Sequence, residues 1–181
     1  MQMTTPIPAD EEARQESLRT YEILDTQAEK VFDDITAVIA GICDTPIALL
    51  TFIDGNRQWI KANFGLPLRQ TTRNASICAH AICRDELFVV PDTLRDARFA
   101  DNPFVIGEPH IRFYAGMPLI TPEGHALGAL CVIDHSPRQL SEDQKAKLEA
   151  LAQSAMLLLE IRLGRNGATA LTGLGRSESP F

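Results

Sequence analysis

No apolar run in this sequence approaches the ~20 residues that a membrane-spanning helix needs, and the opening MQMTTPIPADEE lacks the basic-then-apolar order of a secretion signal. The sequence therefore reads as cytoplasmic, with no membrane partner. Basic residues are scarce too. Against 24 Asp and Glu there are 17 Lys and Arg, a net charge of -7, which leaves no cationic surface for a phosphate backbone and argues against a nucleic-acid partner. No C-x-x-C pair occurs among Cys43, Cys78, Cys83 and Cys131. All four lie in apolar sequence, where a reduced thiol behaves as a small buried hydrophobe, so disulfides are not expected. Cys78, His80 and Cys83 fall within six residues but cannot all reach one helix face, and a closed zinc site needs a fourth ligand, so no metal is expected. No acid, base and nucleophile stand at a spacing that supports catalysis, and the chain reads as non-enzymatic.

What is present suits one globular domain: 181 residues, 45% hydrophobic and 23% charged. Leu18, Tyr21 and Leu24 put a narrow apolar stripe on a helix within Asp10 to Leu24. Thr26 and Glu29 form a capping box before a helix from about Ala28 to Cys43, whose Phe32, Ile35, Ile39 and Ile42 face the core. IALLTFID, Asp54-Gly55-Asn56 and RQWIKANF spell a β-hairpin, with Trp59, Lys61 and Asn63 alternating against Ile60, Ala62 and Phe64. Gly65 to Asn74 reads as turns, and Ser76 to Cys83 as one or two helical turns packed on a sheet. A strand over Leu87 to Val90 precedes an irregular segment of the kind that forms binding loops. A second hairpin pairs IRFYAGMPLI with ALGALCVID, and Gly116 and Gly128 inside it suggest bulges or close approach of a ligand or packed element. Ser141 with Gln144 caps a last helix running to about Leu163, whose apolar surface is wider than one sheet contact requires. The Gly-, Ser- and Thr-rich remainder reads as a flexible tail or linker. Hairpins with helices gathered to one side make this an α+β plan.

ILDTQAEKVFDDIT, TPIALLTFIDGNRQWIKANFGL, ICAHAI, VVPDTLRDARFADNPFV, IRFYAGMPLITPEGHALGALCVID and LSEDQKAKLEALA, in that order, resemble bacterial GAF domains of the kind found beside histidine kinases and diguanylate cyclases. The resemblance covers residues 18–163, leaving 1–17 as an N-terminal tail and helix start and 164–181 as the tail or linker. It implies a central antiparallel sheet with a ligand pocket on one face, roofed by the irregular segments, and the terminal helices on the other. It also implies a sensory module that binds a small molecule, dimerises through its terminal helices and signals to an output partner, a histidine kinase or a diguanylate cyclase. ALTGL (Ala170 to Leu174) looks like the approach to a diguanylate cyclase domain.

The GAF branches differ in chemistry, and fold alone does not choose among them. A covalent bilin needs adjacent Cys and His, whereas Cys83 is followed by Arg84 and Ala79 separates Cys78 from His80, so no cofactor is expected. A free methionine sulfoxide reductase-like enzyme is the runner-up, although Cys78, Cys83 and Cys131 do not reproduce its spacing. Cyclic-nucleotide binding, with Arg95, Arg98 and Arg112 as anion partners, lacks that branch's N-K…F…D-E pattern. A dimerisation-only module is the remaining alternative. The candidate ligand-binding residues pair an apolar body with a polar tip: Trp59, His80, Asn102, Arg112 and Tyr114, together with Cys78.

Overall fold

The computed structural model describes residues 5–174, over 165–174 as backbone only. Two hairpins build its centre. In the first, β1 (Ile47–Asp54) and β2 (Arg57–Phe64) turn through Gly55 and Asn56, and the Gly55 φ of 55° supplies the left-handed step that a two-residue loop requires. In the second, β5 (Phe113–Ile120) and β6 (Ala126–Asp134) flank the Thr121 to Gly124 turn. β1 pairs with β6, and two three-residue strands, β3 (Gln70–Thr72) and β4 (Phe88–Val90), close the edges in the order β3-β2-β1-β6-β5-β4, every neighbour antiparallel. Edge strands this short offer little template for pairing with other chains. β3 corrects the reading of Gly65 to Asn74 as turns alone. Gly65, at φ 75°, sits where a Cβ would lie 1.9 Å from the Pro46 carbonyl, and the chain returns there to pair Gln70–Thr72 with Arg57–Trp59.

Both faces of the sheet are covered, which is why its central strands are continuous apolar runs. Ala48, Leu50, Phe52, Leu130 and Val132 pack beneath α2 (Lys30–Cys43) and α5 (Glu142–Leu174). Ile47, Leu49, Ile53, Cys131 and Ile133 belong to a second cluster under a cap of α3 (Cys78–Ala81), α4 (Pro103–Ile106) and the irregular segments around them. This is the expected α+β arrangement. α1 (Glu11–Thr20) is tied to the sheet by Arg14, which is fully buried, donates to the Ile53 carbonyl at 2.8 Å and to those of Ala126 and Leu127 at 3.4 Å, and pairs with Glu11.

Two local expectations yield to tertiary demands. The register of β1 on β2 slips between Leu50 and Thr51, leaving Lys61 as the extra residue of a bulge. The expected alternation therefore breaks: Ala62 joins Trp59 on the helix face, and the buried Lys61 side chain reaches the chain ahead of α2. There its ammonium donates to Thr26 Oγ1 at 2.8 Å and the Gln27 carbonyl at 2.6 Å and pairs with Glu29 at 2.6 Å. Thr26 and Glu29 are thus committed to a buried cation, which needs acceptors more than a helix end does, and the capping box they spell does not form. The second box does form, Gln144 N donating to Ser141 Oγ at 3.1 Å and Ser141 N to Gln144 Oε1 at 3.0 Å. α5 continues to Leu174, past the expected end near Leu163, through a segment in which Ala168, Ala170 and Leu171 favour helix.

Candidate functional site

Between the sheet and its cap lies a partly open cavity of about 30 Å³. Leu49, Gln58, Tyr114 and Ile133 form its floor, while Leu66, Leu68, Ser76, Ile77, Cys78, Phe104 and Ile111 close over it. That volume holds about two water molecules, against the ~300 Å³ or more of a small-molecule site. Polar bonds pin the cap down. The Ser76 hydroxyl donates to Gln58 Oε1 and accepts from the Ala79 amide at 3.1 Å, starting α3 directly over β2. Asn102 donates from Nδ2 to the Ala75 carbonyl at 3.0 Å and accepts from the Phe104 amide at 2.9 Å, joining the segment before α3 to the start of α4.

The cavity ends in sulfur and phenol. Tyr114, fully buried, donates its hydroxyl to Cys78 Sγ at 3.2 Å, and Cys131 Sγ of β6 lies 3.8 Å from Cys78 Sγ. Gly116, two residues along the same strand face, leaves the space that the hydroxyl fills, since a Cβ there would lie 2.2 Å from it. Hydrogen bonding with Cys131 and from the Tyr114 hydroxyl favours a thiolate at Cys78 and holds its thiol below the ordinary value despite burial. The same shared bond, with burial, pushes Cys131 up. Cys43, on the helix face, is pushed by burial to about 11, and Cys83 is exposed at the end of α3, in contrast to the buried position its sequence suggested.

Of the six candidate residues, the structure brings Cys78 and Tyr114 together at the cavity. Asn102 is buried in the cap, but its side-chain bonds are spent on loop structure. His80 faces away from the cavity and sets its ring edge-on to Phe99, centroids 4.7 Å apart; burial, aided by the Arg98 cation, lowers it to about 4. Arg112 pairs with Asp92 at 3.2 Å outside the cavity. Trp59 stands corrected: it packs near Phe52 on the helix face, because Gln58 and not Trp59 has the strand parity that points under the cap. Gln58, Ser76 and Cys131 are the polar groups that the sequence reading missed. Strand parity with Ile60 marks Gln58, whereas the meeting of Cys131 with Cys78, 53 positions apart, has no local signal. A shallow depression of about 790 Å³ beside Asp92, Arg95 and Arg138 is wider, but it is open and its charges are paired, Arg95 with Asp92 at 3.5 Å and Arg138 with Asp134 at 2.7 Å.

Comparison with known proteins sets this geometry in context. The profile of the GAF domain matches residues 27–159. A cyclic di-GMP phosphodiesterase of Pseudomonas aeruginosa is 45% identical over 172 residues, which are 94% of this chain and 29% of the relative's length. A domain of a two-component sensor histidine kinase protein from Sinorhizobium meliloti superposes with a TM-score of 0.64 at 18% identity, covering 80% of this chain and 99% of that one. The GAF domain of Thermosynechococcus elongatus PixJ, in its blue-light-absorbing form, gives 0.60 at 16% identity, covering 96% and 100%. At such identities the two structures establish the fold alone. The first relative corrects the reading of the chain as non-enzymatic: the protein it matches at 45% identity is an enzyme, of which this chain corresponds to a GAF part.

Proposed function

The chain belongs to the GAF family, and on that premise we propose that it is the regulatory part of a cyclic di-GMP phosphodiesterase, taking a small molecule beneath its cap and passing the occupied state through its terminal helices. The observation that carries this reading is the 45% identity to such an enzyme across 94% of the chain. The output partner is then a phosphodiesterase unit, in place of the histidine kinase or diguanylate cyclase suggested by the resemblance.

The small cavity supplies the mechanism. A ligand larger than about two waters is accommodated when the cap lifts from Gln58, so cap movement precedes binding. Occupancy shifts the helices to the extent that the ligand prefers the lifted cap. β2 carries both Gln58 at the cavity and Lys61 at the Glu29 pair, and Glu29 also holds Arg162 of α5 at 3.1 Å. Tyr21 adds a hydroxyl bond to Glu160 of the same helix. Val31 and Val38 of α2 and Leu157 and Ile161 of α5 remain exposed and supply the apolar surface through which two copies associate.

The test is native mass spectrometry of the protein purified from its own cells, followed by a cyclic di-GMP cleavage assay of the protein together with its phosphodiesterase unit, before and after any retained molecule is dialysed away. A dimer with extra bound mass, and a cleavage rate that changes on dialysis, is the expected result. An unliganded monomer with no effect on cleavage overturns the reading.

A further inference from the structure

The four cysteines are not equivalent. Cys43 lies on the helix face of the sheet, and Cys83 is exposed, its Sγ near the Ala79 carbonyl at 3.6 Å. Cys78 and Cys131 face one another at 3.8 Å between the cap and the central strand β6, both buried and both free thiols. Two further features converge on this pair. The Tyr114 hydroxyl donates to Cys78 Sγ at 3.2 Å, and Gly116 provides the space without which that hydroxyl could not lie there. Cys78 and Tyr114 also line the cavity, whose 30 Å³ matches a molecule the size of hydrogen peroxide and excludes bulky oxidants.

We propose that Cys78 and Cys131 are a redox modification site, a dithiol that a small hydroperoxide converts to a disulfide joining the cap to the sheet. Cys78 Sγ attacks one peroxide oxygen, the O–O bond breaks, one water leaves and Cys78 becomes a sulfenic acid. Cys131 Sγ then attacks the Cys78 sulfur, the S–O bond breaks and a second water leaves. In sum, two thiols lose two electrons and two protons, and one hydrogen peroxide becomes two waters. A dithiol reductant reverses the change by exchange. The Cys78 step is favoured over Cys131 because the Tyr114 hydroxyl donates to Cys78 Sγ at 3.2 Å and stabilises its thiolate. Because α3 carries Cys78 and β6 carries Cys131, the oxidised form ties the cap shut and the reduced form leaves it free to lift. A disulfide of this kind is transient and signalling in character, which is compatible with a reducing compartment. The chemistry needs only the dithiol and its tyrosine, so its test does not depend on whether the cavity takes a ligand or on the phosphodiesterase reading.

The experiment exposes the folded 181-residue chain to hydrogen peroxide, blocks remaining thiols, and reads intact mass and non-reducing peptide maps. The expected result is a loss of about 2 Da and a Cys78–Cys131 linked peptide that disappears with dithiothreitol. Cys83→Ser, a change at an exposed position, retains both. Cys131→Ala loses the link and in its place accumulates a sulfenic acid on Cys78 that dimedone traps. No mass loss in the folded chain, a link through Cys83, or a link that forms only after denaturant is added overturns the proposal.

Discussion

A Cβ on Gly116 would meet the Tyr114 hydroxyl at 2.2 Å, so an alanine there must push a buried phenol away from Cys78. Gly116→Ala is expected to cost about 1–3 kcal/mol in urea unfolding, as overpacking of a filled core does, and to slow peroxide oxidation of the dithiol at the same time. The penalty at Gly128 has another source. A Cβ there would lie 1.8 Å from the Thr51 carbonyl oxygen, backbone of the central strand β1, which has no rotamer to change. Gly128→Ala should therefore be the more damaging, read as a larger fall in the urea midpoint. At His80, burial and Arg98 lower the imidazole to about 4, from an ordinary value of about 6.5. The folded chain holds this ring neutral, so its contribution to stability is complete above pH 6.5 and is lost as pH falls toward 4. Urea titrations from pH 7 to 4 should show a fall of up to about 2 kcal/mol from this group, and His80→Asn should flatten it.

Among elements, the bulge of β2 has the widest reach. Lys61 holds Thr26, Gln27 and Glu29, and Glu29 holds Arg162, so one ammonium joins the sheet to the chain before α2 and to α5. Lys61→Met leaves Glu29 with Arg162 alone and should cost about 2–4 kcal/mol in chemical denaturation. Burial favours the protonated Glu29 carboxyl, but Lys61 and Arg162 outweigh it and hold the group below its usual value. In the Lys61→Met protein, NMR titration should find the Glu29 pKa moved upward. This element also marks the limit of what the sequence discloses. The hairpins are legible because each is an apolar run closed by turn residues, and α5 is legible at its start because Gln144 closes the box on Ser141 through Oε1 while its Nε2 is left to donate to the Ile42 carbonyl. The bulge is not, because it is settled by acceptors more than thirty residues upstream, and the Lys61 ammonium that they hold withdraws Thr26 and Glu29 from their capping box. β3 escapes notice since three residues carry no period. At the cavity, Cys78 and Tyr114 stand out by their chemistry, whereas the amphipathic ring of Trp59 suits a pocket by type and strand parity along β2 places Gln58 there instead.

At the scale of the whole molecule, two apolar clusters on opposite sides of one sheet give the chain unequal surfaces, a cap over a cavity and a helical layer with Val31, Val38, Leu157 and Ile161 still exposed. If two copies associate through that layer, Leu157→Lys with Ile161→Lys should convert a dimer to a monomer in light scattering while the circular dichroism of the fold is kept. The chain spans 29% of the length of its phosphodiesterase relative. The smallness of the cavity at 30 Å³ also bears on timing. A visitor that must wait for the roof to rise arrives at a pace that stops increasing with its concentration, and the resting fraction of raised roofs scales its apparent affinity. If one molecule in about a hundred is raised at rest, half-saturation requires about a hundredfold more ligand than the open site alone would need. A recess built this way ignores brief pulses and answers to sustained exposure.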